Sequence, residues 1–252
     1  MSTAPTTAAQ APLSIAPGFD PAAARPVLQR FGRLHIPGFF VGDGAARVHA
    51  SLVSDCPWMR STMVEGKNVD ARLDFIASLS PEEVARVERD QFARARTGFQ
   101  YSFDNYRLSD AIEAGRRHGW AFEAVYDFMN GPFLPFVRAL TGDDRAAYCD
   151  AQATRYQAGH YLTQHHDDEP GRGRLYAYVL NFTPAWRADW GGILQFLDAD
   201  GHVAEGYTPS FNALNIFRVP QDHCVSYVAP FAGGDRLSIT GWVRTHRDPP
   251  RG

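Results

Sequence analysis

The chain has 252 residues, of which 44% are hydrophobic and 21% charged, so it is not a disordered protein and suits one globular unit. The formal net charge is -3 and no basic patch stands out, so we expect no direct binding to nucleic acid or to a membrane. The three cysteines, Cys56, Cys149 and Cys224, lack disulfide or zinc spacing, which favours a reducing cytoplasm.

The first half of the chain is predicted to be a tail followed by helices. Residues 1–18 lack the basic and apolar regions of a signal peptide and are expected to form a flexible tail. "GRLHIPGFF" (32–40) predicts a short strand. Helices are predicted in "GAARVHASLVSDC" (44–56), "SPEEVARVERDQFARAR" (80–96) and "HGWAFEAVYDFMNGPFLPFVRALTG" (118–142), the last with a break at "NGP". Residues 19–146 are therefore expected to be mainly helical and to pack on the core.

From residue 147 onward the pattern changes to short strands separated by turns. The segments "RLYAYVLNF", "GGILQFLD", "FNALNIFRV" and "RLSITGWVR" are rich in β-branched and aromatic residues. Their even spacing predicts a sandwich or jelly roll over residues 147–246, with residues 247–252 as a second tail. The expected fold is therefore mainly β, a jelly roll braced by N-terminal α-helices.

A cluster of imidazole and carboxylate side chains, "QHHDDEP", occupies residues 164–170. On a strand, a histidine and a carboxylate two positions apart point to the same side and can bind one metal. His223, in "PQDHCVSYVAP", is the candidate for a third ligand. Two histidines and one carboxylate leave three positions open on an octahedral metal, as in non-haem Fe(II) oxygenases. The competing interpretation of the cluster is a solvated polar turn.

The strand "RLSITGWVR" supplies a candidate for anion binding. A 2-oxo acid with a second carboxylate needs a cation of fixed geometry, and the arginine fork suits this better than lysine does. Arg236 is that candidate, with Ser238 and Thr240 on the same strand face as hydroxyl partners. The alternative is an edge-strand arginine with a surface partner.

Taken in order, these motifs resemble the Fe(II)- and 2-oxoglutarate-dependent dioxygenases, specifically their prolyl-4-hydroxylase-like branch. The resemblance covers residues 155–244 through "RYQAGHYLTQHHD", "YVLNF", "WGGILQF", His223 and "RLSITGW". The longer stretches "AYVLNFTPAWRADWGGILQFLD" and "FNALNIFRVPQDHCVSYVAPF" resemble the group of ribosomal-protein prolyl hydroxylases and their bacterial relatives. The fold implied by the resemblance is a double-stranded β-helix, which is a relative of the jelly roll.

The resemblance also implies roles for individual residues. His165, Asp167 and His223 would bind Fe(II), and Arg236 would bind the far carboxylate of 2-oxoglutarate. Tyr156 resembles a position that contacts the cosubstrate or the substrate.

Two details of this site are open in the sequence. Some relatives have a tyrosine where this chain has Val179, so Ser238 or Thr240 is expected to supply that hydrogen bond. The cluster also holds a second pair, His166 with Asp168, but the family's spacing from Gly159 selects His165 with Asp167. Strand alternation then predicts that Tyr161, Thr163, His165 and Asp167 share one face.

The implied reaction is the hydroxylation of a C–H bond, with O2 and 2-oxoglutarate converted to succinate and CO2 and with ascorbate as reductant. A prolyl residue of a cytoplasmic protein, such as a ribosomal or other translation component, is the expected substrate. Three alternatives stay open: a hydroxylase of a free amino acid or small metabolite, a non-catalytic jelly roll that binds a metal or ligand, and a cupin-like zinc enzyme.

Overall fold

The computed structural model describes residues 11–116 and 119–247, which form seven α-helices, thirteen β-strands and one 3₁₀ helix at Ala188–Trp190. The helices are α1 (Pro21–Phe31), α2 (Gly44–Ser54), α3 (Leu73–Ala77), α4 (Pro81–Ala95), α5 (Leu108–Glu113), α6 (Trp120–Asn130) and α7 (Phe133–Thr141). The strands are β1 (Arg33–Pro37), β2 (Met59–Val64), β3 (Lys67–Arg72), β4 (Tyr101–Tyr106), β5 (Tyr148–Cys149), β6 (Gln152–Tyr156), β7 (Tyr161–His165), β8 (Arg174–Asn181), β9 (Leu194–Leu197), β10 (Val203–Tyr207), β11 (Ala213–Arg218), β12 (His223–Val225) and β13 (Arg236–Arg244).

The strands form an antiparallel sheet that curls into a nearly closed barrel. Its order is β1-β11-β8-β13-β6-β4-β7-β12-β9-β10, with the β2–β3 hairpin attached to β4 and with β5 attached to β13. The two end strands meet through side chains, because Arg33 of β1 pairs with Glu205 of β10 and the rings of His35 and Tyr207 lie 5.5 Å apart. The jelly-roll class expected from the sequence is confirmed.

Strand β8 separates the main core from an apolar cluster inside the barrel. Tyr178 and Leu180 face the helices and belong to the main core, whereas Ala177 and Val179 face the inside of the barrel. Aromatic rings fill the space between helices and sheet: Phe39, Phe40, Phe128, Phe133, Phe136 and Phe182. Because both faces of β8 are buried, its sequence is a continuous apolar run rather than an alternating one.

The helices expected from the sequence are confirmed as α2, α4 and the pair α6 and α7, and β1 is the expected short strand. Ser80 caps α4 in a reciprocal capping box with Glu83, and Pro81 is the first helical residue. None of the helices in the described ranges combines the length and apolarity that a membrane span requires.

Two expectations about the first half of the chain are corrected. Strands β1 to β4 lie before residue 147, and β4 pairs with β6 and β7, so the barrel is not confined to residues 147–246. The tail expected over residues 1–18 is too long, because Leu13 is buried and Ile15 forms a β-bridge with Phe40. Residues 1–10 of that tail and residues 248–252 of the second tail lie outside the described residues.

Candidate metal centre and cosubstrate pocket

Three side chains expected to bind a metal converge at one end of the barrel. His165 is the last residue of β7 and His223 the first of β12, and the two strands pair with these residues opposite each other. His165 Nε2 lies 3.6 Å from Asp167 Oδ1, and His223 Nε2 lies 3.6 Å from Asp167 Oδ2. One ligand atom of each residue lies within 4.8 Å of the other two, so a single ion can bind all three.

The backbone fixes which nitrogen of each imidazole faces this point. His165 Nδ1 donates to the carbonyl of Thr163 at 2.9 Å, and His223 Nδ1 donates to the carbonyl of Gln221 at 2.8 Å. In the neutral form of each ring, Nε2 therefore carries the lone pair and faces the carboxylate of Asp167. Backbone acceptors thus orient both rings as metal ligands.

The charges of the three groups suit metal binding. Burial raises the pKa of Asp167, but the imidazoles of His165 and His223 outweigh it and hold the pKa below its ordinary value. Burial also lowers the pKa of His223, which keeps its ring neutral. A carboxylate and a neutral imidazole are the forms that donate lone pairs to a cation.

The structure brings together the first of the two histidine-aspartate pairs, while His166 and Asp168 are exposed at the cavity mouth.

The alternation of side chains predicted for strand β7 is wrong. A β-bulge lies between the pairs Leu162↔Val225 and His165↔His223, so Leu162 and His165 both line the cavity. Tyr161 points away and packs on Phe92 and Tyr227.

Arg236 lies deep in the same cavity, which has a volume of about 700 Å³. Its side chain is 2% exposed, and its Cζ lies 4.8 Å above the ring of Tyr156, the residue opposite it on β6. Within the described residues it forms no salt bridge, and its Nε has no hydrogen-bond partner. A buried cation without an anion is costly, so this position calls for an anionic ligand.

The two hydroxyls expected beside Arg236 are already engaged within the protein. Ser238 is fully buried and its Oγ lies 2.7 Å from Thr154 Oγ1, while Thr240 Oγ1 accepts a hydrogen bond from Gln152 at 3.4 Å. Thr154 itself lines the cavity, as do Thr240 and Val179. Thr154 is therefore a third hydroxyl on this strand pair that lines the cavity, and the sequence pattern did not reveal it.

The sequence pattern also did not reveal the wall formed by β4, which continues the sheet next to β6. Strand β4 directs Tyr101, Phe103 and Asn105 inward, and the rings of Phe103 and Tyr156 stack with centroids 5.0 Å apart. The signal for this wall was the alternating segment "YSFDNY", whose odd positions carry the inward residues. Its short length between two predicted helices concealed it.

Arg174 holds the turn that carries Asp167. Its Nη1 donates to the main-chain carbonyl of Asp167 at 2.9 Å, and its Nη2 lies 3.1 Å from Glu169 Oε2. The guanidinium also lies 3.7 Å above the ring of Trp242. Three contacts on one side chain thus fix the peptide next to the carboxylate.

Comparisons with known proteins agree with this geometry. The sequence profile of the 2OG-Fe(II) oxygenase superfamily matches residues 151–244. Prolyl 3-hydroxylase OGFOD1 of Mus musculus is 30% identical over 146 residues, which cover 55% of this chain and 26% of that protein. The chain thus spans about a quarter of the length of this curated relative.

Two solved structures share the fold. A Pseudomonas putida prolyl-4-hydroxylase superposes with a TM-score of 0.57 at 20% identity, covering 89% of this chain and 98% of that chain. A Trichoplax adhaerens prolyl hydroxylase, solved with a hypoxia inducible factor oxygen degradation domain peptide fragment, gives 0.60 at 14% identity and 89% coverage of both chains. The resemblance expected from the sequence is confirmed: residues 151–244 match the 2OG-Fe(II) oxygenase superfamily.

Proposed function

We propose that this chain is an Fe(II)- and 2-oxoglutarate-dependent dioxygenase that hydroxylates a prolyl residue of a cytoplasmic protein. The observation that carries the proposal is the convergence of His165, Asp167 and His223 in a cavity that also holds Arg236, a buried cation without an anionic partner. A metal site alone would fit many functions. The additional anion position is what favours a 2-oxo dicarboxylic acid as cosubstrate.

The donor set fits Fe(II). Two imidazole nitrogens and one carboxylate oxygen form one face of a coordination octahedron and leave the opposite face for cosubstrate and O2. Fe(II), when bound, would supply the activation of O2 that no side chain can provide. The cupin-like zinc alternative is less well supported, because a zinc hydrolase has no need of a buried guanidinium in its cavity.

The protein's own side chains would bind the cosubstrate, keep the metal ligands in place and exclude water from the reacting centre. Arg236 would hold the far carboxylate of 2-oxoglutarate, and the face of Tyr156 would pack against the guanidinium. Apolar side chains around His223, namely Val179, Leu194, Phe217 and Val225, would keep water from the reacting centre. Arg174 would keep the Asp167 turn in place while ligands exchange.

A protein substrate is supported by the relatives rather than by the cavity alone. The mouse relative is named a prolyl 3-hydroxylase, and the motif stretches around residues 177–198 and 211–231 resemble the ribosomal-protein prolyl hydroxylases. We therefore assign a translation protein as the substrate class. The cytoplasmic assignment rests on the three cysteines, which are all free.

The test is a search for the hydroxylated product. Purified protein with Fe(II), ascorbate and 2-oxoglutarate would be incubated with ribosomal proteins, and in parallel with free proline, and both would be analysed by mass spectrometry. A gain of one oxygen on a prolyl residue supports the proposal. Oxygen gained by free proline alone would identify a metabolite hydroxylase instead.

A further inference from the structure

Asn105 is a buried polar side chain that faces the cavity and forms no side-chain hydrogen bond with the part of the chain that the structure describes. It is 2% exposed and lines the same cavity as the three candidate metal ligands. The chain has six asparagines, and in the structure each of the other five forms a side-chain hydrogen bond: Asn68, Asn130, Asn181, Asn212 and Asn215. Since buried amides are nearly always paired, this exception points to a ligand.

The position of Asn105 is rigid. Strand β4 is paired on both sides at this residue, with Met59 of β2 and with Thr154 of β6. Thr154 in turn stands opposite Ser238 of β13, and their hydroxyls bond to each other. Neither hydroxyl is therefore free to turn toward the amide without losing a contact.

Asn105 and the anion position lie in neighbouring rows of side chains on the same strands. The row of the anion position consists of Phe103, Tyr156 and Arg236, from β4, β6 and β13 respectively. Arg236 is the group that suits a carboxylate, and it stands at the far end of its row from β4. The amide of Asn105 is neutral and lines the cavity in the row that Thr154 and Ser238 continue on β6 and β13.

A carboxamide offers two N–H donors and one carbonyl acceptor, and this set complements a peptide group, which has one of each. We propose that Asn105 hydrogen-bonds a main-chain amide of a peptide substrate beside the target residue. The inference rests on the proposed function and deepens it, since it assigns the recognition of the polypeptide backbone to the inner wall of β4. A free amino acid would offer charged termini instead of this neutral group.

The test uses the full chain with Fe(II), 2-oxoglutarate and end-blocked peptides that each contain one proline and random flanking residues. Asn105→Leu keeps the number and branching of the side-chain heavy atoms but removes both donors and the acceptor. We expect the peptide KM to rise about 10-fold or more, because a lost hydrogen bond leaves a buried peptide group unpaired, while the KM for 2-oxoglutarate stays near that of wild type. Arg145→Met is the control, because it removes an exposed guanidinium that pairs with Asp143 and does not line the cavity, and it should leave the peptide KM within about 3-fold.

A second measurement serves if Asn105→Leu does not fold. Asn105→Ser, a smaller polar substitution, would be compared with wild type on peptides in which one main-chain amide near the proline is replaced by an ester. At one position the ester should weaken wild type but not the variant. Equal ester effects in both proteins at every position would overturn the inference.

The remaining outcomes separate the two proposals. If wild type hydroxylates the peptides and Asn105→Leu does so with the same KM, the inference fails while the proposed function stands. If wild type hydroxylates free proline and none of the peptides, the peptidyl function fails, and the inference falls with it.

Discussion

His165 and His223 stand directly opposite each other on neighbouring antiparallel strands, with their ring centroids 4.2 Å apart. Backbone pairing, rather than a loop, therefore sets the distance between these two imidazoles. Asp167 reaches them from the turn after β7, and Arg174 fixes that turn. A site held by strand pairing needs little rearrangement when a ligand binds.

The first prediction concerns the choice between the two histidine-aspartate pairs. His165→Ala should weaken Mn(II) binding by more than about 100-fold, which is the upper end of the effect of removing an outer-shell partner. His166→Ala, which removes an exposed imidazole at the cavity mouth, should leave the affinity within a few-fold of wild type. Isothermal titration with Mn(II) measures both. Stronger loss in His166→Ala would reverse the ligand assignment.

The second prediction concerns the buried cation. Arg236→Met should weaken 2-oxoglutarate binding by about 100-fold or more, since breaking a buried ion pair costs about 3 kcal/mol or more. Arg187→Met removes an exposed guanidinium that pairs with Asp189 and serves as control. The measurement is calorimetric titration of the Mn(II)-loaded protein with 2-oxoglutarate. An unchanged affinity in Arg236→Met would place the cosubstrate elsewhere.

The third prediction tests Arg174 as a positioning residue. Arg174→Met loses the hydrogen bond to the Asp167 carbonyl, and we expect about 10-fold weaker Mn(II) binding. Arg174→Lys should recover part of this loss, because an ammonium can donate to the same carbonyl. Arg172→Met is the control, because it removes a neighbouring guanidinium that pairs with the same Glu169, and it should leave the Mn(II) affinity within a few-fold of wild type. Equal Mn(II) affinities in wild type, Arg174→Met and the control would contradict this role.

The fourth prediction concerns stability at acidic pH. His160 is 4% exposed, its Nδ1 accepts a hydrogen bond from the Gln157 amide, and burial lowers its pKa to about 4. A group whose pKa is lowered in the folded state contributes stability above its unfolded pKa and loses it as the pH falls from about 6.5 to about 4.

The comparison uses His160→Asn, which keeps an acceptor but cannot titrate. Between about pH 7 and about pH 5, the free energy of unfolding of wild type should fall by about 2 kcal/mol more than that of the variant. Urea titrations at the two pH values measure the difference. Parallel losses in both proteins would show that His160 is not the group responsible.

The metal ligands and the buried arginine were predictable from the sequence because their residue types, spacing and order along the chain are distinctive. The two residues at 165 and 167 have the spacing that one strand face requires, and a distant histidine and arginine complete the set in a fixed order. Residue type and spacing carry that information. Strand alternation alone did not, because a bulge of β7 changes the face after Leu162 and nothing in "YLTQHH" marks where a register shifts.

Other parts depend on tertiary contacts that no local pattern encodes. Strand β4 is polar and short, and only its pairing with β6 and β7 makes it a wall of the barrel. Arg174 and Asn105 resemble ordinary surface residues in the sequence, and their roles arise from what folds around them. Leu13 likewise joins the core, where it packs beside Gly44 of α2, although it follows a stretch rich in Ala, Thr and Pro.

The most direct test of the central claim is succinate formation from 2-oxoglutarate under air, compared between wild type and Asp167→Ala. Both proteins would be given Fe(II) and ascorbate, and circular dichroism would confirm that the variant is folded. The account predicts Fe(II)-dependent succinate from wild type and none from the variant. Absence of succinate from wild type, or equal amounts from both proteins, would contradict it.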